Sequence, residues 1–117
     1  MDLIKDSLIC FVNLDHRTDR LTHMSNQLNK VGIHAERVRG LLPSEYAGDP
    51  SKVQVMKNRT PGAIGCHMSQ TFIMKEALRQ GKHAWVMEDD IVFCSDFLER
   101  INYMEGFASK RDWDVLW

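Results

Sequence analysis

Short apolar runs alternate with stretches of helical periodicity along this chain, and that alternation leaves few folds open. One uninterrupted run is Leu8 to Val12 and another is Ala84 to Met87. Each is too short for a helix and is bounded by polar residues, which predicts a strand buried on both faces. Such strands are typical of parallel sheets covered by helices. The sequence therefore predicts an α/β fold with a mainly parallel sheet.

A strand, a helix and a second strand are predicted in succession near the start of the chain. Apolar residues recur at helical spacing from Thr18 onward, and Gly32 stands where a C-cap glycine belongs. The segment Ile33 to Val38 has the length and alternation of a short strand. Such a unit favours a parallel, right-handed crossover. The apolar row of the predicted helix consists of Leu21, Met24, Leu28 and Val31.

Two further helices are predicted. Thr60 and Pro61 suit the N-cap and the first position of a helix, and Gly81 ends it. A third helix follows the second apolar run, with Ser95 or Asp96 as its cap. The apolar rows of these helices are Ile64, Met68 and Phe72, then Ile73 and Ala77, and finally Phe97, Ile101 and Met104.

Two segments depart from this regular pattern. Residues 40–60 are polar and broken by Pro43 and Pro50, and a loop this long in a compact domain is more often functional than idle. Asp112 to Trp117 has the pattern of a strand that the chain end interrupts. We expect residues 1–117 to form a single domain, and to be the N-terminal part or a reduced version of a longer one.

Composition and charge exclude several classes of protein. Hydrophobic residues make up 44% and charged residues 26%, and a net charge of -1 gives no electrostatic reason to bind nucleic acid or an anionic membrane. No apolar run is long enough to cross a bilayer, and the amino terminus lacks a secretory signal. We therefore expect a cytoplasmic protein with no membrane span and no nucleic-acid partner.

Cys10, Cys66 and Cys94 are odd in number and widely spaced. This pattern predicts buried thiols in a reducing compartment rather than a disulfide framework or a zinc site.

Three consecutive carboxylates, Glu88, Asp89 and Asp90, follow directly on the second apolar run. They would emerge at the carboxyl edge of the sheet, where open α/β sheets bind ligands. Clustered negative charge is costly unless a cation offsets it. Mg²⁺ or Mn²⁺ is the simplest partner, because one or two carboxylates, water and phosphates complete its shell. In the alternative, Asp89 and Asp90 cap the next helix, where the helix dipole favours acids.

Four segments stand in a recognisable order. They are VNLDHRTDR from Val12 to Arg20, GIHAERV from Gly32 to Val38, GAIGCHMS from Gly62 to Ser69, and VMEDDI from Val86 to Ile91. Together they resemble glycosyltransferase family 25, the lipopolysaccharide and collagen galactosyltransferase-like enzymes. One departure is Gln70, which stands where the family usually has histidine. Glutamine forms hydrogen bonds but cannot carry a proton.

The resemblance implies a GT-A fold, a Rossmann-like sandwich that binds a nucleotide sugar at the carboxyl ends of its strands. It also implies a metal-assisted, inverting transfer of a sugar, commonly galactose from UDP-galactose, to a glycan or protein hydroxyl. The implied cofactor is Mn²⁺ or Mg²⁺. The implied partners are a UDP-sugar donor and a glycan or protein acceptor, and the acceptor would account for any peripheral contact with a membrane.

The acidic triplet matches the acid-x-acid motif of such folds through Glu88 and Asp90. In those folds the motif holds the metal that bridges the donor's diphosphate, and Asp90 is the first choice as ligand here. Glu88 or Asp89 would meet ribose hydroxyls or waters of the metal shell, because carboxylates accept from such donors.

The end of the first predicted strand supplies further candidates. Asn13 and Leu14 are predicted to present backbone and amide groups to the base of the nucleotide. Arg17 and Arg20 would face phosphate or base, since arginine is a planar multiple donor. In the alternative, both arginines decorate the solvated start of a helix.

Gly65 and Ser69 lie on the second predicted helix. Gly65 either lets the backbone approach a ligand near a helix N-terminus or permits close packing of the helix on the sheet. Ser69 is a candidate for a structural hydrogen bond.

An inverting transfer needs a group that takes the acceptor's proton, normally Asp or Glu. Asp112, Asp114 and Glu99 are available, but no spacing distinguishes one of them. Two functions therefore remain open from sequence. The chain is either an active glycosyltransferase or a non-catalytic module, derived from that fold, that keeps a nucleotide or metal site.

Overall fold

The computed structural model describes residues 2–41 and 61–116, and only the backbone of residues 61–64. Six elements alternate along the described residues. They are β1 (Ser7–Asn13), α1 (Thr18–Val31), β2 (Glu36–Arg39), α2 (Pro61–Gln80), β3 (His83–Glu88) and α3 (Phe97–Ala108).

The three strands form one parallel sheet in the order β2-β1-β3. The register pairs Asn13 with Arg39 on one side of β1, and Val12 with Glu88 on the other. All three strands therefore end at the same edge of the sheet. The predicted α/β fold with a parallel sheet is confirmed.

Alternate residues of β1 point to opposite faces of the sheet and build two apolar cores. Ile9 and Phe11 pack with Met24 and Leu28 of α1 on one face. On the other face, Leu8 and Cys10 pack with Ile73 and Ala77 of α2. Burying an aliphatic or aromatic side chain of this size contributes about 1.5–3 kcal/mol. β1 is thus buried on both faces.

Two glycines end the helices where the sequence predicted. Gly32 has φ 70° and Gly81 has φ 67°, in the left-handed region that glycine enters without a Cβ penalty. The N–H of Gly32 donates to Leu28 O at 2.9 Å, and the N–H of Lys82 donates to Ala77 O at 2.9 Å. These bonds satisfy carbonyls that the last turn leaves without a partner.

The strands β2 and β3 differ from their predictions. β3 lies at an edge of the sheet in the described part of the chain, with Ala84 exposed and Trp85 partly buried, so its predicted burial on both faces is wrong. β2 begins at Glu36 rather than Ile33. Ile33 is buried, but it enters the core from the turn after α1.

Three further predictions need correction. Phe72 does not share in the core of α2, because 60% of it is exposed. Residues 112–116 form no strand, and Trp113 instead lies against the ring of His83. Asp96 is the N-cap of α3, but its side chain makes no capping bond and accepts from Arg100 Nε at 2.9 Å.

Several predictions concern residues that the structure does not describe. The broken segment 40–60, with the predicted N-cap Thr60, lies outside the described residues except for Gly40 and Leu41. Of Ile64 only the backbone is described. Within residues 2–41 and 61–116, no helix combines the length and apolarity that a membrane span requires.

Candidate functional site

A cleft of about 260 Å³ opens at the carboxyl edge of the sheet. Its described walls come from the ends of β1 and β2, the start of α1 and the first turns of α2. The remaining wall is the segment Glu88, Asp89 and Asp90 at the end of β3, called the acidic turn below. Most of the predicted site residues line it, namely Leu14, Arg17, Arg20, Gly65, Glu88, Asp89 and Asp90. The remaining one, Asn13, lies beneath the cleft and is 2% exposed.

The acidic turn directs its three carboxylates differently. Glu88 and Asp90 are exposed, whereas Asp89 is 7% exposed. The next helix starts only at Phe97, so no helix begins at the triplet and the capping alternative is wrong. The exposed carboxylates are therefore available to a ligand.

Asp89 is held by two partners inside the protein. Asn13 Nδ2 donates to its Oδ2 at 2.8 Å, and Arg20 Nη1 donates to its Oδ1 at 3.2 Å. A buried carboxylate without partners would be strongly unfavourable. These two bonds therefore fix the acidic turn to the end of β1 and to α1.

Asn13 uses all its side-chain hydrogen-bonding groups within the protein. Its second amide hydrogen goes to Arg17 O at 3.1 Å, and its Oδ1 accepts from Arg37 Nε at 2.9 Å. Arg37 also donates to the Asn13 carbonyl at 3.1 Å and to Asp15 Oδ1 at 2.7 Å. This contact with Arg37 holds the pKa of Asp15 below its usual range.

A polar row on α1 fixes the segment that follows the acidic turn. His23 Nε2 donates to Ile91 O at 2.7 Å, and the N–H of Phe93 donates to Gln27 Oε1 at 2.9 Å. Together with Arg20, these side chains lie on one face of α1. The segment after β3 is therefore anchored along its length although it has no regular secondary structure.

Gly65 and Ser69 bring α2 close to the chain that leaves β2. A Cβ at position 65 would overlap the carbonyl oxygen of Leu41. Ser69 Oγ donates to Gly65 O at 3.0 Å and accepts from the Leu41 N–H at 3.4 Å. The predicted structural hydrogen bond of Ser69 is confirmed. Gly65 both lines the cleft and permits close packing, although against Leu41 rather than against a strand.

Cys66 links α2 to the acidic turn. Its thiol lies 3.8 Å from Glu88 Oε1, and Gln70 Nε2 donates to Cys66 Sγ at 3.4 Å. Burial, followed by the nearby charge of Glu88, raises the pKa of the Cys66 thiol. The thiol therefore stays protonated and is a weak donor toward Glu88.

The two exposed carboxylates suit a hard divalent cation. Among the described residues, no lysine or arginine forms an ion pair with Glu88 or Asp90. In the same part of the chain no group of three potential ligands is assembled. Mg²⁺ and Mn²⁺ need only one or two carboxylates when phosphates and water complete the shell. The donor set therefore fits such an ion only if a phosphate ligand accompanies it.

Arg17 and Arg20 both line the cleft, but each also has an acidic partner. Arg17 forms two hydrogen bonds with Asp19, at 3.0 and 2.9 Å. This pairing holds the pKa of Asp19 well below its usual range. Arg20 donates a hydrogen bond from one of its nitrogens to Asp89. Since a guanidinium has five N–H donors, both residues keep donors for a ligand.

Sequence reasoning missed Arg37 and Cys66. Arg37 lies on β2, and the run of charged residues in that strand, Glu36, Arg37 and Arg39, was the available signal. Cys66 and Gln70 are four residues apart on α2, the spacing that places side chains on one helix face. Neither signal indicates which residue of another element lies opposite.

Comparison with protein families decides the relationship of this chain. One family model, described as glycosyltransferase family 25 (LPS biosynthesis protein), matches residues 7–115. The chain belongs to glycosyltransferase family 25. The match contains every element of the fold and the whole cleft, so glycosyl transfer is the activity that family membership implies. No curated protein and no solved structure matches the chain.

Proposed function

We propose that this family 25 chain binds a UDP-sugar in the cleft and transfers the sugar, galactose or another hexose, to a glycan or protein hydroxyl. The reaction would be metal-assisted and would invert the anomeric carbon, in a domain of the GT-A type. The observation that carries the proposal is a pair of exposed carboxylates, Glu88 and Asp90, at the carboxyl edge of a parallel sheet, where such folds bind ligands.

Asp90 and Glu88 would hold Mn²⁺ or Mg²⁺ together with the donor's diphosphate. Such a cation neutralises the charge that develops on a departing phosphate. Asp90 is the stronger candidate, because Glu88 already has the Cys66 thiol as a neighbour. Glu88 would then bind through one oxygen or meet the ribose hydroxyls.

Arg20 and Arg17 would donate to the phosphates or to the base. Leu14 would contact the nucleotide on the β1 side of the cleft, and Gly65 on the α2 side. A volume of about 260 Å³ lies below the range of about 300–1,000 Å³ that is usual for ligand pockets. We therefore expect these walls to enclose the diphosphate and part of the nucleoside, with the sugar directed outward.

The general base must lie close to the acceptor hydroxyl. Asp112, Asp114 and Glu99 are exposed, and the described lining of the cleft includes none of them. We therefore propose no base among these three.

Calorimetric titration with UDP tests the donor site. Wild-type protein should bind UDP more tightly with Mn²⁺ than without it, and Asp90→Ala should abolish that difference. Asp96→Ala is the matched control, because Asp96 is also a partly exposed aspartate but pairs with Arg100 outside the cleft. UDP binding that is undetectable at millimolar concentration, or that is equal with and without Mn²⁺, would contradict the proposal.

Transfer is a separate question from binding. An active enzyme should release UDP from UDP-galactose, or from another UDP-hexose, in proportion to glycosylated acceptor or free sugar. Metal-dependent UDP binding without any turnover would instead favour the non-catalytic module.

A further inference from the structure

We propose that Asn13 and Asp89 are positioning residues, whose mutual hydrogen bond sets where Glu88 and Asp90 stand in the cleft. The inference rests on the proposed donor site, since the two exposed carboxylates are the groups being positioned. It assigns Asn13 and Asp89 a role beneath the nucleotide, in place of the direct contacts that the sequence predicted.

Both side-chain groups of Asn13, the amide nitrogen and the amide oxygen, already have partners within the protein. An amide nitrogen has two hydrogens, and those of Asn13 go to Asp89 Oδ2 at 2.8 Å and to Arg17 O at 3.1 Å. Its carbonyl oxygen accepts from Arg37 at 2.9 Å. Asn13 is also only 2% exposed, so a nucleotide would reach this side chain only by displacing one of these partners. The side chain therefore acts within the protein.

Asp89 determines the direction of its two neighbours. Its side chain points inward to Asn13 and Arg20, and it is the buried member of the triplet. Glu88 ends β3, and Asp89 and Asp90 form the turn that follows it. Holding the Asp89 side chain inward fixes the backbone of this turn, which carries the exposed side chains of Glu88 and Asp90 that line the cleft.

The pair has a property that a direct ligand contact would lack, because its two members can be exchanged. Asn13→Asp together with Asp89→Asn restores one carboxylate and one amide and keeps the net charge. The new carboxylate at position 13 would face Arg37, and the amide oxygen at position 89 would still accept from Arg20. The bond to Arg17 O is not restored, because a carboxylate has no hydrogen to donate to it. Asn13→Asp alone instead places two carboxylates opposite each other, and Asp89→Asn alone places two amides opposite each other.

The test compares the wild type, both single variants and the double variant. We expect each single variant to weaken UDP binding in the presence of Mn²⁺ by about tenfold or more, since a buried charged hydrogen bond is lost. The double variant should bind UDP at least about threefold more tightly than either single variant but less tightly than the wild type, because the bond to Arg17 O is not restored. Asp96→Asn is the control, as it removes the charge of another ion-paired aspartate outside the cleft. It should bind UDP like the wild type.

Thermal unfolding without ligand separates this inference from the donor site. The midpoint should fall in both single variants and recover in part in the double variant, whether or not UDP binds. Absence of UDP binding by the wild type would contradict the donor site alone. A double variant that is unfolded, or whose midpoint loss is the sum of the single losses, overturns the pairing. A folded double variant that binds UDP no better than the weaker single variant overturns the positioning role.

Discussion

Gly65 leaves no room for a side chain, because a Cβ there would overlap the backbone oxygen of Leu41. We expect Gly65→Ala to lower the free energy of unfolding by about 1–3 kcal/mol, the usual cost of overpacking. Gly106→Ala in α3 is the control, since nothing lies within 4 Å of a Cβ there. It should stabilise the protein by about 0.5–1 kcal/mol, because alanine favours a helix interior. Denaturant unfolding of both variants measures the difference, and equal stabilities would contradict the close approach.

The three thiols should react at very different rates. Cys94 is exposed, Cys66 is partly buried and Cys10 is buried. Burial, with the nearby charge of Glu36, raises the pKa of Cys10 to about 11. Because the thiolate is the reactive form, iodoacetamide at pH 8 should modify Cys94 first and Cys10 only after unfolding. Mass mapping of the alkylated sites gives the order.

The cysteines also show which features of single residues the sequence predicts correctly and which it does not. Buried thiols were expected at all three positions, which is right for Cys10 and wrong for Cys94. The acidic triplet was correctly located at a strand end because an apolar run precedes it. The partner of Asn13 could not be predicted, because Arg37 and Asp89 reach it from other elements. Spacing along the chain carries no information on such contacts.

At the level of elements, α2 presents two different faces. Ile73 is 1% exposed and packs against β1, whereas its neighbour Phe72 is 60% exposed. Ile73→Ala should therefore cost about 2–5 kcal/mol of unfolding free energy. Phe72→Ala, the larger truncation, should change it by less than about 0.5 kcal/mol, as is usual for surface sites. Urea unfolding compares the two, and a larger loss from Phe72→Ala would contradict this orientation of the helix.

Element ends that depend on local chemistry were predictable, while those that depend on neighbours were not. Gly32 and Gly81 end their helices because the left-handed backbone suits glycine. The start of β2 was misplaced because Ile33 is apolar and alternates like a strand residue, although it is buried from a turn. β3 was expected to be central because its run is apolar. An apolar run does not specify how many strands lie beside it.

At the scale of the whole molecule, a ligand at the sheet edge should stabilise all three strands together. At a UDP concentration about one hundredfold above the dissociation constant, binding adds about 2.7 kcal/mol. Amides of β1 that exchange only through global unfolding should then exchange about one hundredfold more slowly. Hydrogen exchange with UDP and Mg²⁺ measures this effect. Asp90→Ala should show none of it, and slowing confined to α3 would place the ligand elsewhere.

The fold class followed from the sequence, but the layout of the sheet did not. Alternating apolar runs and helical periods indicated a parallel sheet with helices on its faces, as the structure has it. In the described sheet, β1 lies between β2 and β3, and α1 and α2 cover its opposite faces. Those pairings are formed between segments far apart in the chain, and periodicity within one segment does not reveal them.

The central place of β1 has a consequence for synthesis on the ribosome. β1 is made before the other two described strands, yet one of its two edges is completed only by β3, which emerges after both α1 and α2. Until then, a nascent chain carries an apolar strand with an open edge, the kind of segment that associates with other chains. Chaperone binding to the nascent protein should therefore concentrate on Leu8 to Val12 and cease once Glu88 has left the exit tunnel.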